Sequence, residues 1–244
     1  KKEARTIMND AILGVLGGMG PYASETFYRL VNQFTEAKRD QDHLRMMLWS
    51  DSSIPDRTEG ILKGEEEPVY QALLAGMRRL ERAGCTAVAM TCNTAHHFAD
   101  RLQAELSVPM LDMVKLVAEE AEGFCTPQVG LLATDGTIQT GLYQKALAER
   151  GLKTMVLPPE LQERVMHLIY DELKQGKPGS WETFDPVDNY LRKSDCGCVI
   201  LGCTELSVFR QNHPMVPFYI DTLETLARAA IEHCGKEIKK GFFV

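Results

Sequence analysis

Short apolar runs alternate with longer amphipathic stretches along most of the chain. Residues 11–16, 44–49, 87–90, 108–111, 128–132, 153–157, 198–201 and 216–220 have the length and content of strands. Several carry no polar break, as expected where a parallel sheet is covered on both faces. Between them apolar residues recur at helical spacing. Residues 22–38 place Phe27, Leu30, Val31 and Phe34 on one face, and residues 160–175 do the same with Val165, Leu168, Ile169 and Leu173. Further helices are predicted at about 68–83, 95–106, 112–122, 138–150, up to 193 after the break at Gly176-Lys177-Pro178-Gly179, and 221–233. Acidic residues before Pro68 suit a helix start. Residues 50–58 read as a long polar loop, and residues 1–10 as an extension with little to bury. The order is βαβα throughout, which predicts an α/β fold with mostly parallel sheets.

The pattern occurs twice. Ala87-Val88-Ala89-Met90 followed by Thr91-Cys92-Asn93-Thr94 matches Cys198-Val199-Ile200-Leu201 followed by Gly202-Cys203-Thr204-Glu205. At a similar offset, Ile12-Leu13-Gly14-Val15-Leu16 matches Gln128-Val129-Gly130-Leu131-Leu132, and Val108-Pro109-Met110-Leu111-Asp112 matches Val216-Pro217-Phe218-Tyr219-Ile220-Asp221. Weak similarity at a near-constant offset predicts two copies of one supersecondary unit. The expected division is residues 1–111 plus 217–244 in one domain and 112–216 in the other. The closing strand and helix mirror those after Cys92, and are therefore expected to return to the first half.

Composition narrows the function classes. The chain has 244 residues, 44% hydrophobic and 25% charged, enough for one or two α/β domains. A net charge of −7 argues against nucleic acid as a partner and supplies no polybasic membrane patch. No apolar run reaches a membrane span, and the first residues carry no signal-peptide core, so a cytoplasmic protein is expected. Seven cysteines, an odd number, argue against a disulfide framework. Cys196-Gly197-Cys198 lacks a second pair at zinc spacing, so no metal is expected.

The repeated turn is the candidate chemistry. It sets a thiol at the carboxyl end of a strand, where open α/β sheets bind ligands. The first N–H groups of a following helix favour thiolate there. A buried cysteine beside an Asn/Thr cap is the alternative for either turn alone. Two such turns facing each other would bring both thiols to one cleft.

Leu16-Gly17-Gly18-Met19-Gly20-Pro21, Ile54-Pro55-Asp56-Arg57-Thr58, Cys92-Asn93-Thr94-Ala95-His96, Leu131-Leu132-Ala133-Thr134 and Gly202-Cys203-Thr204-Glu205 together resemble the aspartate/glutamate racemase family, most nearly its aspartate branch. The resemblance covers nearly the whole chain after residue 10. It implies two similar α/β domains with the substrate between them, a homodimer, and no cofactor. The activity implied is pyridoxal-independent interconversion of L- and D-aspartate, with Cys92 and Cys203 as the two acid/base thiols. By the same likeness Asn93, Thr94 and Thr204 hold the α-carboxylate side, Arg57 and Lys174 meet the carboxylates, and Met19, Ala95, Thr134 and Glu205 complete the substrate site. Gly17-Gly18-Met19-Gly20 stands where the glutamate branch has an Asp-Ser pair, and Glu205 where it has His. Both departures favour the aspartate type.

The chemistry suits these residues. Inverting an α-carbon removes a proton from one face and returns one to the other, so two opposed groups, one thiolate and one thiol, are required. Without an electron sink, the carbanion needs positive charge and N–H donors around the carboxylates. Arg57 offers a bidentate fork and Lys174 a point charge. Residue by residue, Arg57 could instead form a surface ion pair, Lys174 could end a helix, and Thr134, Asp135 and Thr137 could be caps. Glu205 is either a first-turn acid or a partner of Cys203. His96 and His97 read as partly exposed helix residues rather than bases. Competing activities are a glutamate or broad-specificity acidic racemase, a maleate-isomerase-like enzyme, a hydantoin racemase, which Arg57 and Lys174 disfavour, and an inactive ligand-binding relative. More remote is a dinucleotide-binding oxidoreductase, from Gly18-Met19-Gly20-Pro21-Tyr22-Ala23, although no acidic residue closes a strand some twenty positions on.

Overall fold

A computed structural model of the protein describes residues 11–241; the extension read at residues 1–10 lies outside them. Among the described residues, eight parallel strands form two four-stranded sheets. β1 (Ile12–Gly17), β2 (Arg45–Ser50), β3 (Ala87–Met90) and β4 (Met110–Leu111) lie in the order β2-β1-β3-β4. β5 (Gln128–Leu132), β6 (Lys153–Met155), β7 (Cys198–Leu201) and β8 (Tyr219–Asp221) repeat it as β6-β5-β7-β8. The unbroken apolar runs are the inner strands, for β3 and β7 are buried at every residue. Helices on both faces require that.

The helices depart from the predicted ones where local chemistry intervenes. α1 (Pro21–Phe34) starts on Pro21, where a missing N–H costs nothing. α2 (Arg57–Lys63) is not among the predicted helices and begins inside the loop read at 50–58. Asp56 caps it, accepting from Glu59 N at 2.8 Å, and Gly64 closes it in the left-handed conformation. α3 is Glu66–Arg82. The helix predicted at 95–106 opens as a tight 3₁₀ turn, Thr94–Phe98, before α4 (Ala99–Ala104). α5 (Met113–Glu122) is capped by Asp112. The helix predicted at 138–150 is two, α6 (Asp135–Gln139) and α7 (Leu142–Ala148), parted at Gly141. α8 (Pro159–His167) widens into a π turn, Leu168–Glu172, then tightens into a 3₁₀ turn, Leu173–Gln175. α9 (Trp181–Arg192), α10 (Thr204–Asn212) and α11 (Thr222–His233) follow.

Strand alternation sorts the core into layers. Leu13, Val15, Ala87 and Ala89 of the first sheet and Val129, Leu131, Cys198 and Ile200 of the second belong to one central cluster, filled by α1, α5, α7 and α11. Leu16, Val88 and Met90 face an outer cluster with α3, and Leu132, Val199 and Leu201 another with α8 and α9. The two halves thus share a central core.

The closing strand differs from expectation. β8 does not return to the first half but pairs with β7, Tyr219 opposite Val199 and Ile220 opposite Ile200. A parallel neighbour of β7 is reached by a right-handed crossover through α10, just as β4 reaches β3. The helices that follow these strands exchange halves instead. α11 lies against α1, and α5 lies against α7. Near the cleft the halves also meet directly: a Cβ on Gly136 would fall 2.8 Å from Thr58 Cα, so only glycine lets α6 approach α2 this closely.

Candidate functional site

One cavity is lined by the residues that follow β1, β3, β5 and β7, the strand ends where the duplicated order places ligand crevices. Of the residues singled out from sequence, Met19, Arg57, Asn93, Thr94, Thr134, Lys174, Thr204 and Glu205 line it together with Cys92 and Cys203. Ala95 does not. It is fully buried in the outer core behind Cys92.

The thiols occupy equivalent places, each two residues past its strand and 6% exposed. Cys203 stands at the N-cap position of α10 without a side-chain cap bond, and its Sγ–H donates to Glu205 Oε2 at 2.9 Å. Burial, then the Glu205 charge, push this thiol well above its ordinary range, against the pull of Lys174. The helix start expected to lower it is outweighed, because desolvation of a buried thiolate exceeds a half-charge at a helix end.

Glu205 is therefore a partner of Cys203 as well as a first-turn acid. Its Oε1 accepts from Gly20 N at 3.1 Å and Lys174 Nζ at 3.0 Å, and its Oε2 also accepts from Thr204 Oγ1 at 3.4 Å. Burial alone would raise this carboxyl. The lysine charge and these donors hold it below the usual carboxylate value. The same bond accounts for the glycine run after β1. The Gly20 N–H that a dinucleotide phosphate would need is held by Glu205, and Gly18, at φ +90°, has no room for a Cβ beside the Asp51 backbone. That motif serves close packing.

Arg57 is buried at 8% exposure, not a surface ion pair. Its two terminal nitrogens donate to Ile54 O, Pro55 O and Met19 O at 3.0–3.1 Å. Nε is buried without a partner. Burial opposes its charge, but the facing Cys92 sulfur and the Asp56 carboxylate raise its pKa above the ordinary value. Lys174, in the 3₁₀ turn after the π turn, is likewise raised: burial opposes its charge, and Glu205, Cys203 and Cys92 favour it.

Asn93 lines the cavity with its side chain already committed. Nδ2 donates to Thr222 Oγ1 at 3.0 Å, and Oδ1 accepts from Tyr143 OH at 2.5 Å. Thr94, Thr134 and Thr137 form a buried hydroxyl cluster at 2.9–3.2 Å, joined by Thr58 at 3.2 Å. Thr134 is thus both the α6 cap and a cavity residue. His96 corrects its sequence reading, being 2% exposed. Its Nδ1 donates to Cys92 O at 2.7 Å and its Nε2 accepts from Met113 N at 3.2 Å. Burial lowers its pKa, so a neutral ring with both nitrogens engaged props the Cys92 turn.

Three cavity residues escaped the sequence: Asp56, Thr58 and Tyr170. Asp56 carried a cap signal, with Glu59 three positions on. Tyr170 is aimed inward by the π turn, for which the sequence offers no pattern; such turns gather at functional sites. Its hydroxyl donates to Asp56 Oδ2 at 3.4 Å. These three residues also line an outer hollow of about 410 Å³, whereas the inner cavity measures about 10 Å³, room for a single water. The Tyr170–Asp56 wall must therefore part for any amino acid to reach the thiols. What lies behind it is two thiols, two buried cations and one carboxylate, a set suited to moving a proton on a carboxylate-bearing carbon.

A profile of the Asp/Glu/hydantoin racemases matches residues 16–230. The chain is 27% identical over 228 residues to the broad-specificity amino-acid racemase RacX of Bacillus subtilis (strain 168), covering 90% of this chain and 96% of that one. Among solved structures, the aspartate racemase of Picrophilus torridus aligns with a TM-score of 0.82 at 33% identity, over 94% of this chain and 96% of that chain. An aspartate racemase homologue from Pyrococcus horikoshii OT3 aligns at 0.71 and 28%, over 91% and 98%.

Proposed function

The chain belongs to the Asp/Glu/hydantoin racemase family, and we propose from that membership and its paired thiols that it interconverts L- and D-aspartate without a cofactor. The observation that carries this reading is that Cys92 and Cys203 line one cavity with Arg57 and Lys174. Cys203, held protonated, is the ready acid, and Cys92, beside the Arg57 guanidinium, takes the part of the base. The enantiomer presenting its α-hydrogen to Cys92 loses it there and receives one from Cys203; the other enantiomer runs the relay backwards. The two cations hold the carboxylates as charge spreads from the α-carbon. The likeness to an aspartate racemase supports aspartate as the substrate, and the likeness to a broad-specificity racemase supports glutamate as a second one.

The test is chiral analysis of L-aspartate and L-glutamate incubated in D₂O with a reductant and no cofactor. D-aspartate carrying deuterium at the α-carbon is expected, ahead of any D-glutamate. No exchange in either amino acid would replace this reading with that of a maleate-isomerase-like diacid enzyme.

We also infer a homodimer. β2 ends the first sheet and leaves Met47, Leu48 and Trp49 37–40% exposed. An apolar sheet edge of this kind is normally covered. Leu48→Glu is expected to shift the sedimentation coefficient to that of a monomer; a monomeric wild type would refute the inference.

A further inference from the structure

The duplication shows a difference between its copies away from the cleft. Asp112 caps α5: its Oδ1 accepts from Val114 N and Lys115 N, and its Oδ2 takes the Lys115 ammonium at 2.9 Å. Asp221 caps α11 in a similar way, Oδ1 accepting from Leu223 N at 2.9 Å and Glu224 N at 3.1 Å, and also from Ser207 Oγ at 2.6 Å. The position equivalent to Lys115 is Glu224. Asp221 is 2% exposed, and its Oδ2 is buried with no hydrogen-bond partner. One copy thus satisfies its cap carboxylate with an ammonium from its own helix, and the other sets a carboxylate in that place.

Asp221 lines a cavity of about 490 Å³, a size that suits small molecules. Glu120 of α5, Arg210 of α10, and Glu224, Arg228 and Glu232 of α11 supply its other charges. Each arginine already faces a carboxylate, Arg228 that of Glu120 at 2.5 Å and Arg210 that of Glu224 at 3.5 Å. Neither arginine forms an ion pair with Asp221 or Glu232, although the Arg210 charge reaches Asp221. Phe124, Pro217 and Tyr219 give the cavity an apolar side. No cluster of metal-ligating residues is present among those described. The need is for N–H donors on a small cation with some apolar surface.

We propose that this cavity is a second ligand site, distinct from the racemase cleft, which binds a primary alkylammonium on Asp221 Oδ2 as Lys115 binds Asp112. Glu224 and Glu232 contribute charge, and Phe124, Pro217 and Tyr219 receive the alkyl part. A proton competes for the site, first on Asp221, whose carboxyl burial raises against the Ser207 hydroxyl, the Arg210 charge and the cap N–H groups. Burial, then the neighbouring Asp221, push the Glu224 carboxyl up to about 7, against Arg210 and Arg228 and with Glu120. A raised carboxyl is neutral below that value, so alkylammonium binding strengthens as pH rises through about 7.

The test is the thermal midpoint of the intact protein at pH 8 with butylammonium, with tetramethylammonium at equal ionic strength as control. A rise of roughly 5–10 °C is expected at about a hundredfold excess over Kd. Tetramethylammonium, without N–H groups, should give none. Glu224→Lys rebuilds the Asp112–Lys115 arrangement, so it should raise the midpoint by itself and abolish the butylammonium response, with racemisation unchanged. Glu224→Gln, which adds no ammonium, should keep a weakened response. No response in wild type, equal responses to both ions, or an undiminished response in Glu224→Lys would each overturn the proposal. None of these readings depends on the reaction in the cleft.

Discussion

Cys92→Ala and Cys203→Ala are each expected to cut racemisation by roughly 10³-fold or more, with the fold intact. Each substitution removes one sulfur from the wall of a cavity, which costs on the order of 1 kcal/mol, so the urea midpoint should barely move. Loss of turnover alone would not separate two bases from one, but hydrogen exchange does. With one thiol left, a proton can be taken and returned on one face only. Each variant should therefore exchange the α-hydrogen of a single enantiomer with solvent, without inverting it, and the two variants should choose opposite enantiomers. Proton NMR of L- and D-aspartate in D₂O reads this directly. Near-normal turnover in either variant, or exchange of both enantiomers by one of them, would sink the two-thiol relay.

The pH dependence of that exchange carries the second half of the expectation. Aspartate enantiomers have equal free energies, so kcat/KM in the two directions must coincide at every pH, whatever the thiols do. Asymmetry between the thiols is hidden in the wild type and appears in the single variants. In Cys92→Ala the remaining base is Cys203, whose thiol is held up by burial and by Glu205. A raised thiol is protonated at neutral pH and becomes a base only as pH climbs. Exchange by this variant should rise through the alkaline range. Adding Glu205→Gln removes the neighbouring negative charge and should move that rise to lower pH.

Much of this was legible in the chain because the chain states it twice. AVAM and CVIL are too short and too uniformly apolar to be anything but inner strands, and a cysteine two residues past each is a coincidence only if read once. The pairing of Glu205 with Lys174 was not legible, since it joins the first turn of α10 to a lysine 31 positions earlier. The high thiol of Cys203 follows from burial and from the Glu205 charge, against Lys174, and a helix-start argument, which is local, has the opposite sign. Tyr170 was hidden for another reason. The apolar face of residues 160–175 gives a continuous helix, and the π turn that rotates Tyr170 into the cavity leaves that periodicity almost unchanged. The repeat equates β8 with β4 but does not say which sheet receives it; β8 stays beside β7, and the elements that exchange halves are the helices alone.

Arg57 carries the second large expectation. Arg57→Lys keeps the charge and should still lower kcat/KM for aspartate by about 10²–10⁴-fold. The guanidinium donates to three carbonyls, at Met19, Ile54 and Pro55, and lies beside the Cys92 sulfur. Lysine has one nitrogen and cannot fill these acceptors and also meet a carboxylate beside the thiol. Acceptors left unpaired in a buried place cost about 1–3 kcal/mol each where water cannot reach them. A stability loss is thus expected as well, read as a lower urea midpoint. The kinetic and structural effects separate in Arg57→Ala, which opens a space of guanidinium shape. Added guanidinium should restore part of kcat in that variant, and methylammonium at the same concentration should not. Wild-type kcat/KM in Arg57→Lys would show that a point charge suffices and that the planar fork has no part in holding the substrate. Rescue by both cations alike would lead to the same conclusion.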